Sequence, residues 1–543
     1  MCPSFLSEWL TFFEKSPAHL NSRLPIDMKT YTHTSRSGHA KVGLTPPKQR
    51  RTMLLALMTF ACLCVGASAQ VKVAVMPSYS QSQNYGNVAI NEAVTVWGRT
   101  WGGTAPYNYT LDFGDGSAAA SGTASDPKFI SASHTYASAG LKTVTLTVTD
   151  SASNTKSKTA TLRVLLTPTH QERVNMAIEK GLLYLYQNQT LPGGEKAYWD
   201  GTGEYPMGSN GAALLAFEEN GHLPGNDYES DVYAETVQRG INYIASLGVA
   251  YTISNQPAGN PDTNGNGRGI YLNGSGLNQM YPHAFAAAAI VGAYPDAASA
   301  QAALIPGGMG TFSGTSFYSF AVDMMDQMMF CQNDSPSVGW FYTINTANNG
   351  ASNDGSIDQW PNIVFTLARD RWNFAVPAWV TTNSVAAFKA LQNANGACGY
   401  GNNSQWLNVA KTAGMLVGYA FGGKFVGDND VDRGIQFIGN TWYNTAGNTT
   451  FLENGGWAGN WYAMYGLKKG LQIQGITTIN TAYGPRDWYQ DLSAWLLGNA
   501  TLLDSTDPAH PIMTSFRSTN TMFGQQSNGR WTLDVCVVAS GRR

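Results

Sequence analysis

Charge is what this sequence has least of. Only 13% of its 543 residues are Asp, Glu, Lys or Arg, and they nearly cancel, to a net charge of -3. Such a chain gives no case for binding nucleic acid or an anionic membrane surface, and neither is expected as a partner. Histidine is scarce as well. After residue 165 there are only His170, His222, His283 and His510, and none lies near a cysteine at metal-ligand spacing, so no zinc signature is present. Of the six cysteines, Cys2, Cys62 and Cys64 precede residue 70, leaving Cys331, Cys398 and Cys536. An exported chain allows one disulfide, with Cys331–Cys398 the first choice, and separate buried thiols are the alternative.

Long apolar runs are also missing. The run Met53–Val65 is too short to span a bilayer. It follows Lys48, Arg50 and Arg51 and precedes Ala67-Ser68-Ala69. That is the order of a bacterial-type secretory signal, with cleavage before Gln70. Residues 1–69 are therefore read as an upstream extension and signal peptide, and no stable membrane span is expected after cleavage. The expected location is secreted or periplasmic.

Glycine (58) and tryptophan (15) are abundant instead, in two textures. Residues 70–165 alternate apolar and polar side chains over strand-length runs: Val144, Leu146 and Val148 point one way, and Thr145, Thr147 and Thr149 the other. Glycine-rich turns separate the runs, which predicts a small antiparallel β-sandwich. The runs "YTLDFGDGS" and "HTYASAGLKTVTLTVTD" resemble the polycystic-kidney-disease (PKD) domain, an immunoglobulin-like sandwich of extracellular proteins. The resemblance implies a spacer or a weak glycan or protein contact. Asp112 and Asp115 are read as caps of a glycine turn, and His134 as a fold residue.

Residues 166–543 read as helical runs broken by Gly, Asn and Trp. Six charged helix openings recur: "RVNMAIEKGLLYLYQNQ", "ETVQRGINYIASLG", "SFAVDMMDQMMFCQND", "TTNSVAAFKALQNANG", "NDVDRGIQFIGNTW" and "RDWYQDLSAWLLGNA". Five are followed by a second run richer in Ala and Gly and apolar on more than one face, such as "YPHAFAAAAIVGAY". Such helices belong inside, with the charged ones outside. About six helical hairpins of this kind predict an all-α α/α toroid, making the chain multidomain.

The stretch "VGWFYTINTANNGASNDGSIDQWPNIVFTLA" resembles the repeat of terpenoid cyclases and protein prenyltransferases, at Gly339, Trp340, Tyr342, Asp354, Ser356 and Gln359. The wider chain is similar to exported bacterial toroid proteins with squalene-cyclase-type repeats. The cyclase Asp-x-Asp-Asp motif is absent. Asp428, Asp430 and Asp432 read as helix capping. The Gly-Trp breaks at Gly339-Trp340, Gly455-Gly456-Trp457 and Gly529-Arg530-Trp531 recur in register and are read as packing.

If the second helices are inner, their N-termini gather at one mouth. Asn210, Tyr281, His283, Asp358, Trp360, Trp406, Trp461 and Tyr462 then ring it. The leading expectation is a secreted protein holding a glycan, a lipid or an extracellular protein at that aromatic mouth, without cyclase or prenyltransferase activity. The alternative is an extracellular polysaccharide-degrading enzyme of lyase type, with Tyr281 and His283 as base and acid. An atypical terpenoid cyclase is the third. No cofactor is expected beyond a calcium candidate at Asp262, Asn264 and Asn266, which precede Gly267 as in the start of a calcium loop but lack Glu at the twelfth position, where Asn273 stands.

Overall fold

The computed structural model describes residues 70–80, 85–199, 206–274, 280–334, 338–345, 353–444, 452–503 and 513–516. The proposed signal segment, Cys536 and the Gly529–Trp531 break lie outside them.

The chain opens with eight strands: β1 (Lys72–Val75), β2 (Asn87–Ala89), β3 (Ala93–Trp101), β4 (Asn108–Asp112), β5 (Ala120–Thr123), β6 (Ile130–Thr135), β7 (Gly140–Thr149) and β8 (Thr155–Leu165). They form two sheets, in the orders β1-β3-β6 and β2-β8-β7-β4-β5. Only β2–β8 is parallel. The alternation in β7 sets its inward face: Val144, Leu146 and Val148 are buried, while the threonines between them are half-buried. At the turn after β4, Asp112 Oδ1 accepts from Gly114 N at 2.8 Å, and Asp115 Oδ1 accepts from Ser117 N at 3.1 Å. Gly114 has φ +75°, and a Cβ there would stand 2.2 Å from the Thr143 carbonyl. The aspartates thus cap a turn that needs glycine.

Twelve α-helices follow among the described residues. They are α1 (His170–Gln187), α2 (Pro206–Glu218), α3 (Ala234–Ser246), α4 (Met280–Gly292), α5 (Ala297–Ala302), α6 (Phe317–Phe330), α7 (Gln359–Trp372), α8 (Ala378–Leu391), α9 (Val409–Phe421), α10 (Asn429–Asn440), α11 (Trp461–Ile473) and α12 (Trp488–Asn499). Short hairpins punctuate them: β9 (Thr190–Gly193) with β10 (Lys196–Tyr198), β11 (Gly248–Thr252) with β12 (Arg268–Leu272), β13 (Thr478–Thr481) with β14 (Gly484–Asp487), and β15 (Ala500–Leu503) with β16 (Met513–Phe516).

The helices form an α/α toroid. Its inner ring is α2, α4, α7, α9 and α11, each packed on the next. All thirteen residues of α4 and of α9 are buried, as their Ala- and Gly-rich sequences demand. The ring is tight because glycine lets backbones touch. A Cβ on Gly211 of α2 would lie 2.5 Å from the Phe285 carbonyl carbon on α4, and one on Gly470 of α11 would lie 2.6 Å from Ala413 O on α9. Between the two ends of the ring, Glu219 just after α2 pairs with Lys468 and Lys469 of α11. Five hairpins are complete among the described residues, and α12 packs on α1.

Capping rules fix the helix starts. Thr169 and Glu172 form a capping box on α1. Asn408 and Asn460 cap α9 and α11. Asp428 caps α10, as expected for that acidic stretch. Trp340 is fully buried and donates from Nε1 to Met328 O at 2.9 Å. Trp457 packs on Trp442 at 5.3 Å. Both Gly-Trp breaks therefore serve packing.

The β-domain is not a free spacer. Trp97, 1% exposed, packs against Tyr186 and Tyr233 of the helical domain at 4.9 and 5.6 Å. Arg99 pairs with Glu235, and Arg163 with Glu172. Tyr186 donates its hydroxyl to Lys128 O at 2.7 Å. A shared aromatic core ringed by ion pairs holds the two together.

Candidate functional site

The N-terminal ends of α4, α7, α9 and α11 come together, and the short segment before α7 is their hub. Asp354 Oδ1 accepts from Ser356 N at 2.8 Å and from Ser356 Oγ at 2.6 Å. With the Ser356 hydroxyl proton so directed, Tyr281 at the start of α4 donates to Ser356 Oγ at 2.6 Å. The Ser356 carbonyl accepts from Trp360 Nε1 at 3.0 Å and from the Tyr462 hydroxyl of α11. Tyr462 in turn accepts from Gln359 Nε2. One buried serine thus ties three inner helices together.

Beneath the hub the ring is filled. Trp360 lies 4.6 Å from Phe285, 5.4 Å from Tyr465 and 5.6 Å from Tyr462. Phe285 of α4 meets Tyr465 of α11 at 6.0 Å. These helices are not neighbours in the ring, so this contact crosses its centre.

Above the hub lies an aromatic shelf. Tyr342 and Tyr400 are half-buried and share a hydrogen bond between hydroxyls at 2.6 Å. Tyr400 meets the half-buried Trp406 edge-on at 4.9 Å. Trp406 has φ 52°, an uncommon conformation for a bulky residue. It is held there by Glu453, which accepts from Trp406 N and from Leu407 N. Tyr281 lies 6.0 Å from Tyr342 and connects the shelf to the hub.

Burial dominates the electrostatics. It lifts the Asp354 carboxyl above its ordinary range, against the hydrogen bonds from Ser356 and the electrostatic pull of the Tyr400 and Tyr342 hydroxyls. It lifts Asp358 further, although Trp340 N donates to Asp358 Oδ1 at 2.6 Å. Lys411 on α9 is fully buried and pushed down to about 8, with Cys398 and Asp354 opposing the shift. Tyr400 is raised to about 12 by burial and by Asp354, so the shelf hydroxyl keeps its proton at neutral pH.

The sequence candidates fare differently. Tyr281, Trp360 and Tyr462 meet at the hub, and Trp406 stands on the shelf. Asp358 lies next to the hub but holds the Trp340 backbone. Asn210 is buried away from the shelf, where its side chain accepts from Trp199 N at 2.9 Å and donates to Trp199 O at 3.3 Å. Trp461 is the first residue of α11, and its side chain falls outside those described.

The pairing of Tyr281 with His283 is corrected. Residues two apart on a helix point to different faces. Tyr281 turns to Ser356, whereas His283 Nε2 bonds to Met324 O on α6 at 3.1 Å. His283 is 1% exposed, and burial lowers its imidazole to about 4. It is a packed core histidine.

The calcium candidate is also corrected. Both Asp262 oxygens accept backbone amides, from Gly265, Asn266 and Gly267. Asn264 and Asn266 turn their amide nitrogens to Asp323 Oδ1, at 2.7 and 2.9 Å, and their oxygens accept from Asn266 N and Arg268 N. The loop thus engages its own oxygens and offers donors inward, which does not fit a hard cation. No His/Cys/Asp/Glu group suited to a metal occurs among the described residues. Cys331 and Cys398 form no disulfide; both are buried thiols.

Several site residues escaped the sequence reading. In the sequence, Asp354, Ser356 and Tyr342 read as parts of the repeat. Tyr400 and Lys411 carried no local signal, because a fold is needed to bring them beside Asp354.

Comparison with known proteins adds the following. Residues 81–165 match the family described as PKD domain. No curated relative matches the chain. Among solved structures, a family 76 glycoside hydrolase from a bovine Bacteroides thetaiotaomicron strain is similar at TM-score 0.42 and 9% identity, over 86% of this chain and 97% of that one. A beta-1,2-glucanase from Parabacteroides distasonis is similar at TM-score 0.32 and 12% identity, over 87% and 69%. A polysaccharide lyase is similar at TM-score 0.28 and 11% identity, over 79% and 58%. At these scores the likenesses carry no argument about activity, and they give the cyclase and prenyltransferase resemblance no support. No helix among the described residues is long and apolar enough to cross a membrane.

Proposed function

We propose that the protein is an extracellular, glycan-processing toroid that takes a polysaccharide segment on the shelf of Tyr342, Tyr400 and Trp406. Half-buried aromatic faces bordered by hydroxyls suit the apolar face and the hydroxyl rim of a pyranose ring. The observation that carries the reading is the link between that shelf and a buried acid. The hydroxyls of Tyr342 and Tyr400 lie 2.6 Å apart and act electrostatically on the Asp354 carboxyl, whose Oδ2 is buried without a hydrogen-bond partner among the described residues. A raised carboxyl is a better proton donor near neutral pH than an ordinary one. In this reading Asp354 gives its proton through the tyrosine hydroxyls to the leaving oxygen as the glycosidic bond breaks, a water molecule takes the anomeric carbon, and the proton that water loses returns to Asp354. The PKD domain of residues 81–165 supports the extracellular setting.

Binding without turnover is the second reading, and one observation favours it. The neighbouring carboxylates Asp358 and Glu453 both accept backbone amides, from Trp340 and from Trp406 with Leu407, whereas a hydrolase needs a second carboxylate opposed to the acid. The test is to incubate the protein with neutral and acidic polysaccharides, following reducing ends, unsaturated-product absorbance and retention in affinity gels. Product that Asp354→Asn abolishes while retention persists establishes the enzyme. Retention that Trp406→Ala abolishes, with no product, establishes the binding protein. Neither signal from the folded protein ends the glycan reading.

A further inference from the structure

Away from the helix mouth, a second buried polar cluster lies where the β-domain meets the helical domain. His222, in the connection between α2 and α3, is 6% exposed. Its Nδ1 bonds to Asp231 Oδ1 at 2.9 Å, and Tyr85 of the β-domain stacks on its ring at 5.5 Å. The Tyr85 hydroxyl donates to Asn220 O, so the stack is pinned at both ends. Tyr233 meets His222 edge-on at 4.8 Å and donates its hydroxyl to Glu179 Oε1 of α1 at 2.9 Å. Two atoms of this cluster are buried without a hydrogen-bond partner: His222 Nε2 and Glu179 Oε2.

Two orphaned polar atoms against one tyrosine call for an explanation, since an unsatisfied buried group costs about 1–3 kcal/mol. Asp231 is a carboxylate, so His222 Nδ1 carries the hydrogen of that bond, and a neutral imidazole then presents Nε2 as an acceptor. An ionised Glu179 is also only an acceptor. A proton on Glu179 removes the charge from this buried carboxyl, whose one hydrogen-bond partner among the described residues is the Tyr233 hydroxyl.

We propose that Glu179, His222 and Asp231, closed over by Tyr85, form a proton-dependent clamp between the two domains, in which a neutral, protonated Glu179 keeps the β-domain docked and loss of its proton, which puts a charge on the buried carboxyl, frees Tyr85. The electrostatics agree with the geometry. Burial raises the Glu179 carboxyl to about 7, while His222 and the Tyr233 hydroxyl pull it down and Asp231 pushes it up. Burial also raises Asp231, but the bonds from His222 and Asn226 bring it below its ordinary value. The Tyr233 and Tyr186 hydroxyls are pushed up by burial. Asp231 therefore stays charged, and the two tyrosines neutral, across the range in which Glu179 changes. With the folded carboxyl raised, the clamp is complete at acidic pH and is lost as pH rises through about 7. The ion pairs Arg99–Glu235, Arg163–Glu172 and Lys156–Glu229 border the same interface, so release is expected as a loosening at Tyr85 and not as unfolding. The clamp is independent of the saccharide site.

The test follows the purified protein by small-angle scattering and by limited proteolysis of the linker at Leu166–Thr169 from pH 5.5 to 8.5. The wild type is expected to be compact and resistant at the acidic end, and to gain radius and several-fold faster cleavage across a midpoint near neutrality. Glu179→Gln, neutral at every pH, should stay compact throughout, and Tyr85→Ala should be open throughout. If Glu179→Gln does not fold, Glu179→Met repeats the neutral test. A wild type that does not change over this range, or a neutral variant that keeps the wild-type transition, overturns the clamp.

Discussion

Ser356 donates its hydroxyl to Asp354 Oδ1 at 2.6 Å while its own carbonyl accepts from Trp360 and Tyr462. This one relationship couples the acid of the candidate site to the packing of the inner ring. The proton affinity of Asp354 and the closure of the mouth therefore depend on the same residue.

Ser356→Ala separates the two effects. The hydroxyl bond is one of the contacts that lower the Asp354 carboxyl, so its loss raises that carboxyl further. If Asp354 acts as the acid, the alkaline fall of activity moves to higher pH. Stability should drop by about 1–3 kcal/mol, as for a buried hydrogen-bond partner removed. Activity–pH profiles and urea unfolding check the two results.

Much of the architecture was legible in the sequence. The alternation around Val144 forced a strand, and runs such as residues 280–292, apolar on every side, could only be inner helices. Counting helix starts places Tyr281, Trp360 and Tyr462 at one end of the inner ring; they meet there, but buried in its packing and not lining an open mouth. What failed were inferences that needed side-chain direction. Tyr281 and His283 are neighbours in sequence but two apart on a helix, and they face different partners. Asn264 and Asn266 matched a calcium loop by spacing, yet Asp323 on α6 faces them with a carboxylate that takes their donors. Asp354 was hidden for the opposite reason: its place in a repeat explained it too easily.

Asp326 on α6 predicts a pH dependence of stability. Burial raises its carboxyl to about 8, although Thr263 donates to it from N and Oγ1. A raised carboxyl contributes stability that is full below its unfolded value, about 3.9, and is lost as pH rises through the folded value. Asp326→Asn, neutral throughout, should flatten the decline between about pH 5 and 8. Thermal melts across that range give the slope, and an unchanged slope refutes the assignment.

Glu219 holds Lys468 and Lys469 across the ring, and the Lys468 side chain is only 2% exposed. Removing one partner leaves a buried charge uncompensated. Glu219→Ala should therefore cost about 3–5 kcal/mol, measured by urea unfolding, and Glu219→Ala with Lys468→Met should recover part of it.

Cys331 and Cys398 should resist alkylation in the native state and react once the chain is unfolded. Both are buried, and burial raises the Cys398 thiol further from the reactive thiolate. Mass spectrometry after labelling, with and without prior reduction, should give the same count for these two sites. A reduction-dependent gain at both would show a disulfide between them.

The most direct measurement is turnover of polysaccharides by the wild type, Asp354→Asn and Trp406→Ala, with affinity-gel retention read in parallel. The account predicts product from the wild type, none from Asp354→Asn despite persistent retention, and loss of retention in a folded Trp406→Ala. Product formation by Asp354→Asn at the wild-type rate, or wild-type retention in Trp406→Ala, would contradict it.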